Sequence, residues 1–221
     1  MIKIDFHTHT YHSYDSFMKP RGILKRASER GLTHIVINDH DTIRGGVECK
    51  SIEKQFGVSV IVGSEIKTDI GDVTGIFLKE EIERGPYLEV IAKIKKQNGL
   101  AILNHPFVGH NLSGVRFEAF DLIEGYNGRC NAEQNKLAVE LAGQYHKPVI
   151  AGSDAHLYNE IANCYSTFHD LDSLLNPLES VYSGSHKANY IFSQLIKAYK
   201  KRDLVLMAKV MASAPKKILF K

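Results

Sequence analysis

The chain alternates short runs of β-branched and other apolar residues with longer stretches in which apolar residues recur every three or four positions. The short runs predict strands at 2–6, 34–38, 58–66, 72–78, 100–104, 120–126, 147–153 and 164–168. The longer stretches predict amphipathic helices, and three of them end at glycine. Because strands alternate with helices, we expect an α/β fold made of βα units around a parallel sheet or barrel.

Ionisable residues follow these predicted strands directly, at the points where the strands end. The carboxyl ends of parallel strands meet at one edge of a sheet or at one end of a barrel. We therefore expect side chains from six separate strands to share one site. They are His7, His9, Asp39, His40, Glu65, His105, Glu124, Asp154 and His156.

The residue types in this set are those that bind metal ions. His7 and His9 are two positions apart at a strand end, so both imidazoles can point the same way. A lone histidine is more often a structural residue. Here, however, the histidines come with Asp15, Glu65 and Asp154, and such mixed nitrogen and oxygen donors suit zinc, manganese or iron. Several carboxylates beside several imidazoles indicate more than one cation.

The chain after about residue 170 is different, because it is rich in lysine and poor in such residues. The stretch 189–212 predicts one or two amphipathic helices packed around the outside of the barrel. We therefore expect a single domain over 1–221, with the chemistry in 2–156 and a helical part over 170–221.

Composition restricts the classes of function. The net charge is only +3 with histidines neutral, and the one dense basic run is KAYKKR at 197–202, so composition does not indicate a nucleic-acid-binding protein. Cys49, Cys130 and Cys164 are far apart, which predicts reduced thiols. No apolar run reaches the roughly 18–20 residues of a membrane span, and the first residues lack a signal-peptide pattern. We expect a cytoplasmic protein with no membrane partner.

Five segments also resemble, in order, the motifs of the polymerase and histidinol phosphatase (PHP) superfamily of metal-dependent phosphoesterases. They are DFHTHTYHSYDS, NDHDTIRGG, GSEI, NHPF and AGSDAH. The resemblance extends over about two thirds of the chain, from residue 2 to about residue 156. It implies a distorted (β/α)7 barrel with two or three divalent metal ions, zinc, manganese or iron, at the carboxyl ends of the strands.

The resemblance also implies how the ligands are divided among the ions. The implied sets are His7, His9, Glu65 and Asp154 for the first ion, Glu65 and His105 for the second, and Asp15, His40 and His156 for the third. Many members have a histidine in the strand where this chain offers only Thr74, and another where it offers Glu124 and Asn127. The second site is therefore expected to be the least complete.

Four further residues are candidates for contact with a substrate. Arg44 and Arg129 lie on strand-end loops and are candidates for binding phosphate oxygens, the alternative for each being a solvated surface arginine. His12 and His110 are candidate catalytic proton donors, since a metal ligand cannot readily fill that role as well. For His12, a further metal ligand and a residue that orients Asp15 remain as alternatives.

The expected function is hydrolysis of a small phosphomonoester or a nucleotide-type phosphate by metal-activated water. One alternative is a nuclease that acts on DNA or RNA ends, and another is a metal-bound regulatory module without turnover. The chain has no added nucleic-acid-binding module, which favours a small phosphorylated substrate as its partner over nucleic acid. The sequence leaves the oligomeric state open.

Overall fold

The computed structural model describes residues 1–219, with side chains as far as Ala214. The strands in this range are β1 (Ile2–Asp5), β2 (His34–Ile37), β3 (Ser59–Lys67), β4 (Asp72–Ile76), β5 (Leu100–Leu103), β6 (Leu122–Asn127), β7 (Val149–Gly152), β8 (Cys164–Phe168) and β9 (Glu179–Tyr182). The α-helices are α1 (Pro20–Glu29), α2 (Arg44–Ile52), α3 (Tyr87–Lys96), α4 (Ala132–Gln144), α5 (Lys187–Lys201) and α6 (Leu204–Leu219). All eight predicted strands are present, and the mixed α/β class is confirmed.

The strands form one sheet in the order β7-β6-β5-β4-β3-β2-β1-β8-β9, and this sheet curves into a nearly closed barrel. The closing contact joins β1 to β7, where Phe6 N–H donates to the carbonyl of Ala151 at 3.4 Å. Just past both strands, Ala155 N–H donates to the carbonyl of His7 at 3.1 Å. The loops that follow β1 and β7 therefore start side by side.

The pairing departs from seven regular βα units. The sheet is parallel between β1, β2 and β3 and between β5, β6 and β7, whereas β4 is antiparallel to both β3 and β5. Residues 68–71, which join β3 to β4, are too few to form a crossover helix, so β4 must turn back along β3. β8 is likewise antiparallel to β1.

Nearly every strand contributes an inward-facing apolar residue, so the interior of the barrel is apolar. Those of β1, β2 and β3 are Ile4, Val36 and Ile61, which are at most 4% exposed. Two further apolar clusters fill the space between the sheet and the outer helices.

Local sequence sets the helix starts, as in α4, where Asn131 and Gln134 form a reciprocal capping box. No helix in the described part of the chain is both long and apolar enough to cross a bilayer.

The C-terminal part differs in two ways from the expectation of a purely helical segment over 170–221 outside the barrel. Residues 179–182 form β9, which pairs with the outer edge of β8 and satisfies its backbone groups. Helix α5 lies over the carboxyl ends of the strands, where Lys200 Nζ donates to the carbonyls of Tyr11 and Ser13 at 2.7 Å. Residues 220 and 221 lie outside the described part.

Candidate metal centre

The carboxyl ends of the strands hold all eight predicted metal ligands in one cleft. His7 and His9 follow β1, and their ring centroids are 5.0 Å apart. Asp154 follows β7, and its Oδ1 lies 3.4 Å from His9 Nε2 and 3.7 Å from His7 Nε2. The strand-end pattern in the sequence therefore identified side chains that converge in space.

Glu65, near the end of β3, lies at the centre of the cluster and is 2% exposed. Its Oε2 is 3.5 Å from Nε2 of both His7 and His9. The other oxygen, Oε1, is 3.1 Å from His105 Nε2. A carboxylate with its two oxygens directed at different imidazoles has the arrangement of a bridging ligand.

Asp15 lies among a second group of candidate ligands on the other side of His9. Its Oδ2 lies 3.3 Å from the Nε2 atoms of both His40 and His156. The His9 ring is 4.3 Å from that of His156 and 4.8 Å from that of His40, measured between centroids. Ligand atoms of His9, Asp15, His40 and His156 all lie within 4.8 Å of one another.

Unpartnered polar atoms show that this cluster fits metal ions. Among the described side chains, His7 Nε2, His9 Nε2 and Asp15 Oδ1 are buried and have no hydrogen-bond partner. Buried polar atoms are nearly always satisfied, and each one left unpaired is costly. Ligand atoms of His7, His9 and Glu65 lie within 4.8 Å of one another, as do those of His7, His105 and Asp154. The donor set suits divalent cations.

Neighbouring groups orient the imidazoles through their other ring nitrogens. His7 Nδ1 donates to Glu124 Oε1 at 2.9 Å, and His9 Nδ1 lies 3.0 Å from Ser13 Oγ. His156 Nδ1 lies 2.9 Å from the carbonyl of Asp154. Such contacts fix the tautomer and leave Nε2 for a metal ion. Glu124, at the place where many PHP members have a histidine, therefore orients the candidate ligand His7.

Charge coupling within the cluster shifts the pKa values of its members. Burial alone would lower the pKa of His40, but the carboxylates of Glu65 and Asp15 outweigh it and raise the pKa to about 9. Burial also opposes protonation of His105, whose pKa is raised to about 9 chiefly by Glu65. For Asp15, burial is outweighed by His156 and His40, which hold the pKa of its carboxyl well below the usual range.

The region of the second predicted site is built from amides and a hydroxyl. Thr74 on β4 pairs across from Glu65 on β3, but its Oγ1 accepts a hydrogen bond from Asn104 Nδ2 at 2.7 Å. The same amide donates to Glu65 Oε1 at 3.1 Å. Asn127 Nδ2 donates to Glu124 at 3.0 Å. These residues orient the carboxylates. His105 and Glu65 are thus the side chains that remain to bind an ion at the second predicted site.

Two candidate ligands lie in strained backbone shortly after their strands. Asp154 has φ 52° and His105 has φ 23°, values that non-glycine residues rarely adopt. Strained residues of this kind cluster at functional sites, where surrounding contacts hold them. For His105, its N–H donates to Glu124 Oε2 at 2.9 Å. Glu124 thus contacts two candidate ligands, His7 and His105, at once.

Two of the four predicted substrate-contacting residues lie outside the cleft. His12 Nε2 is 3.1 Å from Glu48 Oε2, and both residues line a separate surface hollow together with Arg44. The loop after β1 turns at Thr10, whose N–H and hydroxyl both donate to the buried Asp39 carboxylate, at 2.6 and 2.7 Å. This turn directs His12 towards α2. The structure thus gives neither His12 nor Arg44 a contact with the metal ligands.

The other two candidates lie close to the ligands but are engaged elsewhere. His110 Nδ1 and Nε2 lie 2.9 Å from the carbonyls of Val108 and Asp72. Arg129 lines the cleft, but its guanidinium donates to Glu160 at 2.8 Å and to Ser193 at 2.8 Å. Both side chains therefore make structural contacts, and on Arg129 the buried Nε is the guanidinium nitrogen without a hydrogen-bond partner.

Helix α5 adds residues to the cleft that the sequence patterns did not reveal. Tyr190, Gln194 and Lys197 lie on one face of α5 and line the cleft, whose volume is about 190 Å³. Tyr14, from the loop after β1, stacks on the His40 ring with centroids 4.3 Å apart and an interplanar angle of 3°. A helix pattern shows which face is apolar, but not which surface that helix covers.

Comparison with known proteins agrees with this geometry. A family model described as PHP-associated matches residues 132–180. The chain is 30% identical over 183 residues to the protein MJ0417 of Methanocaldococcus jannaschii. The aligned region covers 77% of this chain and 72% of that protein. It is 48% identical over 117 residues to MJ1587 of the same organism. This aligned region covers 48% of this chain and 68% of that protein.

Two more distant similarities concern a nuclease and a solved structure. A 5'-3' exoribonuclease of Haemophilus influenzae is 36% identical over 67 residues, which covers 30% of this chain and 24% of the enzyme. A protein of Bifidobacterium adolescentis, assigned as a metal-dependent phosphoesterase, has the same fold with a TM-score of 0.57 at 17% identity, over 70% of this chain and 88% of that one. The motifs, the cleft and these relatives together show that the chain belongs to the PHP superfamily of metal-dependent hydrolases.

Proposed function

We propose that the chain hydrolyses the phosphate ester of a small molecule, with two or three divalent ions, zinc, manganese or iron, bound in the cleft. The observation that carries this proposal is the set of buried, unpartnered atoms on His7, His9 and Asp15. When bound, divalent cations polarise a phosphoryl oxygen and lower the pKa of a coordinated water from about 15.7 towards roughly 7. Glu65 and Asp154 hold the negative charge that such cations need.

Neighbouring residues of the chain also orient the proposed metal ligands. Glu124 fixes the His7 ring, and Asn104 fixes the Glu65 carboxylate. Tyr14 stacks on His40, so three ligands are held before any substrate binds. Preorganisation of this kind keeps reacting groups in place without reorganisation during the reaction. It also supports turnover over a purely regulatory role, in which an open polar cleft would have no use.

The small cleft supports a small substrate. Its volume of about 190 Å³ lies below that of pockets that enclose drug-sized ligands, and α5 covers one side of it. Three buried cysteines without a disulfide are consistent with the cytoplasmic location that we include in this proposal.

The test is hydrolysis of p-nitrophenyl phosphate in the presence of Mn²⁺, Zn²⁺ or Fe²⁺. We expect turnover by the wild type and its loss in His9→Ala and Asp154→Ala. The matched control is His169→Ala, since His169 is exposed and follows Phe168, which pairs with Ile2 at the start of β1, away from the strand end that holds His7. Absence of turnover with every metal, by a folded wild-type protein that binds these ions, would instead support the regulatory module.

The second candidate function is a nuclease that acts on the ends of DNA or RNA, favoured by the identity to the exoribonuclease over 67 residues. A nuclease needs a basic path to the cleft, and its binding weakens steeply with salt. Release of mononucleotides from a 5'-labelled oligonucleotide, faster than phosphate release from small esters, would favour this function over the first.

A further inference from the structure

Helix α5 presents a row of polar residues to the cleft and to the loop after β1. Tyr190, Gln194 and Lys197 line the cleft, and Lys201 continues the same helical face one turn further. The helix is held firmly, because all three protons of the Lys200 ammonium have carbonyl acceptors, at Tyr11, Ser13 and Ser16, each 2.7 Å away. The position of this face over the cleft is therefore fixed.

Two ammonium groups on this face share one aromatic ring. Lys201 Nζ lies 3.9 Å and Lys197 Nζ 4.9 Å from the centroid of Tyr14. Cation–π contact stabilises each of them modestly. Burial lowers the pKa of Lys201, and repulsion from the like charge of Lys197, four residues away on the helix, lowers it further. The pair thus concentrates positive charge at one point of the rim.

No carboxylate neutralises this pair directly. Among the ion pairs of the described side chains, which have N–O distances of up to 4 Å, none includes Lys197 or Lys201. The carboxylates of Asp15 and Asp203 act on Lys201 only from further away. Arg129, the arginine on the cleft wall, differs because its guanidinium is paired with the buried Glu160. The acidic groups on the cleft floor, Asp15 and Glu65, face the imidazoles. With those carboxylates bound to metal ions, the two ammonium groups are left for an external anion.

The lysine pair is also at the right place to contact a bound substrate. The Tyr14 ring has His40 on one side, at 4.3 Å between centroids, and the lysine ammonium groups within 5 Å of its own centroid. One ring therefore separates a metal ligand from the lysines. A small ester whose phosphoryl group lies at the metal ligands can extend past Tyr14 to Lys197.

We propose that Lys197, assisted by Lys201, binds a second anionic group of the substrate, so that the enzyme selects small phosphate esters that carry a further phosphate or carboxylate. This inference rests on the proposed phosphoesterase function. A charge-assisted hydrogen bond to that group corresponds to a preference of about 10- to 100-fold over an ester that lacks it.

The test compares esters that differ only in the second anion. Fructose 1,6-bisphosphate is paired with fructose 6-phosphate, and 3-phosphoglycerate with glycerol 3-phosphate, so that the two pairs distinguish a phosphate from a carboxylate. The wild type should prefer the doubly anionic member of at least one pair by about 10-fold or more in kcat/KM. In Lys197→Met this ratio should fall towards one, mainly through a higher KM. Lys201→Met should have a smaller effect in the same direction.

Two further variants separate recognition from folding. Lys197→Arg keeps the charge and should retain most of the preference, whereas Lys136→Met, on the exposed side of α4, should change neither substrate's kinetics. Equal rates on both members of each pair, or a preference that persists in Lys197→Met, would overturn the inference while the hydrolase function stands. Failure of the wild type to release phosphate from any ester would overturn the phosphoesterase function and this inference with it.

Discussion

His7 Nδ1 donates a hydrogen bond to Glu124 Oε1 at 2.9 Å, which leaves Nε2 of the same buried ring directed at Glu65 and Asp154. The second oxygen of Glu124 accepts from the N–H of His105 at 2.9 Å. One carboxylate therefore fixes the ring of one candidate metal ligand and the backbone of another. Because Glu124 is 2% exposed, bulk water cannot replace either contact.

Glu124→Gln should weaken metal binding by about 10- to 100-fold, the usual effect of removing a group that orients a ligand. A glutamine retains the shape, but its amide cannot accept hydrogen bonds at both positions. The measurement is metal affinity by competition with a chelator. Glu118→Gln, an exposed residue on the connection between β5 and β6, is the matched control. An affinity in Glu124→Gln equal to that of the control would show that Glu124 does not orient His7.

The buried ion pair between Arg129 and Glu160 should contribute to stability. Arg129→Met leaves Glu160, which is 0% exposed, as an uncompensated buried charge, and this should cost about 3–5 kcal/mol of unfolding free energy. The double variant Arg129→Met/Glu160→Gln should recover part of that loss. Lys136→Met breaks an exposed pair with Glu140 and should cost less than about 1 kcal/mol. Urea unfolding at fixed metal concentration measures the unfolding free energy of all three variants. Equal losses of unfolding free energy in Arg129→Met and Lys136→Met would contradict this account.

Stability and metal binding should change in opposite directions as pH rises. The folded-state pKa values of His40 and His105 are about 9, against 6.5 for an ordinary histidine. Their contribution to the stability of the metal-free protein is therefore complete below about pH 6.5 and is lost as pH rises to about 9. Metal ions need the deprotonated rings, so metal affinity should increase over the same window.

Calorimetry in buffers with different ionisation enthalpies measures the protons released on metal binding at neutral pH, and thermal unfolding follows the metal-free protein. The lowered pKa values of Asp15, Glu65 and Asp154 affect only the acidic range. Burial lowers the pKa values of His9, His34 and His110, so these groups add stability as pH rises through the range of an ordinary histidine but not well above it. Metal binding without proton release, or a metal-free protein that becomes more stable from about pH 7.5 to 9, would contradict the assigned protonation states.

Two helical glycines should respond oppositely to alanine. A Cβ at Gly45, in α2, would overlap the Asp39 carboxylate and the Thr10 side chain, the two groups that hold the turn after β1. Gly45→Ala should therefore destabilise the protein by about 1–3 kcal/mol. A Cβ at Gly143, in α4, meets nothing within 4 Å, so Gly143→Ala should stabilise it by up to about 1 kcal/mol. A stabilised Gly45→Ala variant in thermal unfolding would show that this turn is not tightly held.

Much of this architecture could be predicted from the sequence, because apolar periodicity sets strands and helices locally. The strand-end rule placed His7, Glu65 and Asp154 together although they are far apart in the chain. Strand direction was not predictable from periodicity, which is the same for parallel and antiparallel neighbours. The direction of β4 depended instead on the short connection at 68–71.

Other features could not be predicted because they depend on tertiary contacts. The positions of His12 and Arg44 on strand-end loops suggested a role in the cleft, but the bond between Thr10 and Asp39 turns the first of these loops away. Lys197 lies in an ordinary amphipathic pattern, and its place over the cleft follows from the contact of Lys200 with the loop after β1. Neither contact has a sequence signature.

The central claim is that the strand-end cleft binds divalent metal ions for hydrolysis. The most direct measurement is the metal content of the protein after equilibration with Mn²⁺, Zn²⁺ or Fe²⁺ and removal of free metal, determined by mass spectrometry of the elements. The account predicts two or three ions per chain for at least one metal, and fewer in folded His9→Ala and Asp154→Ala variants. Less than one ion per chain with every metal, or an undiminished content in both variants, would contradict it.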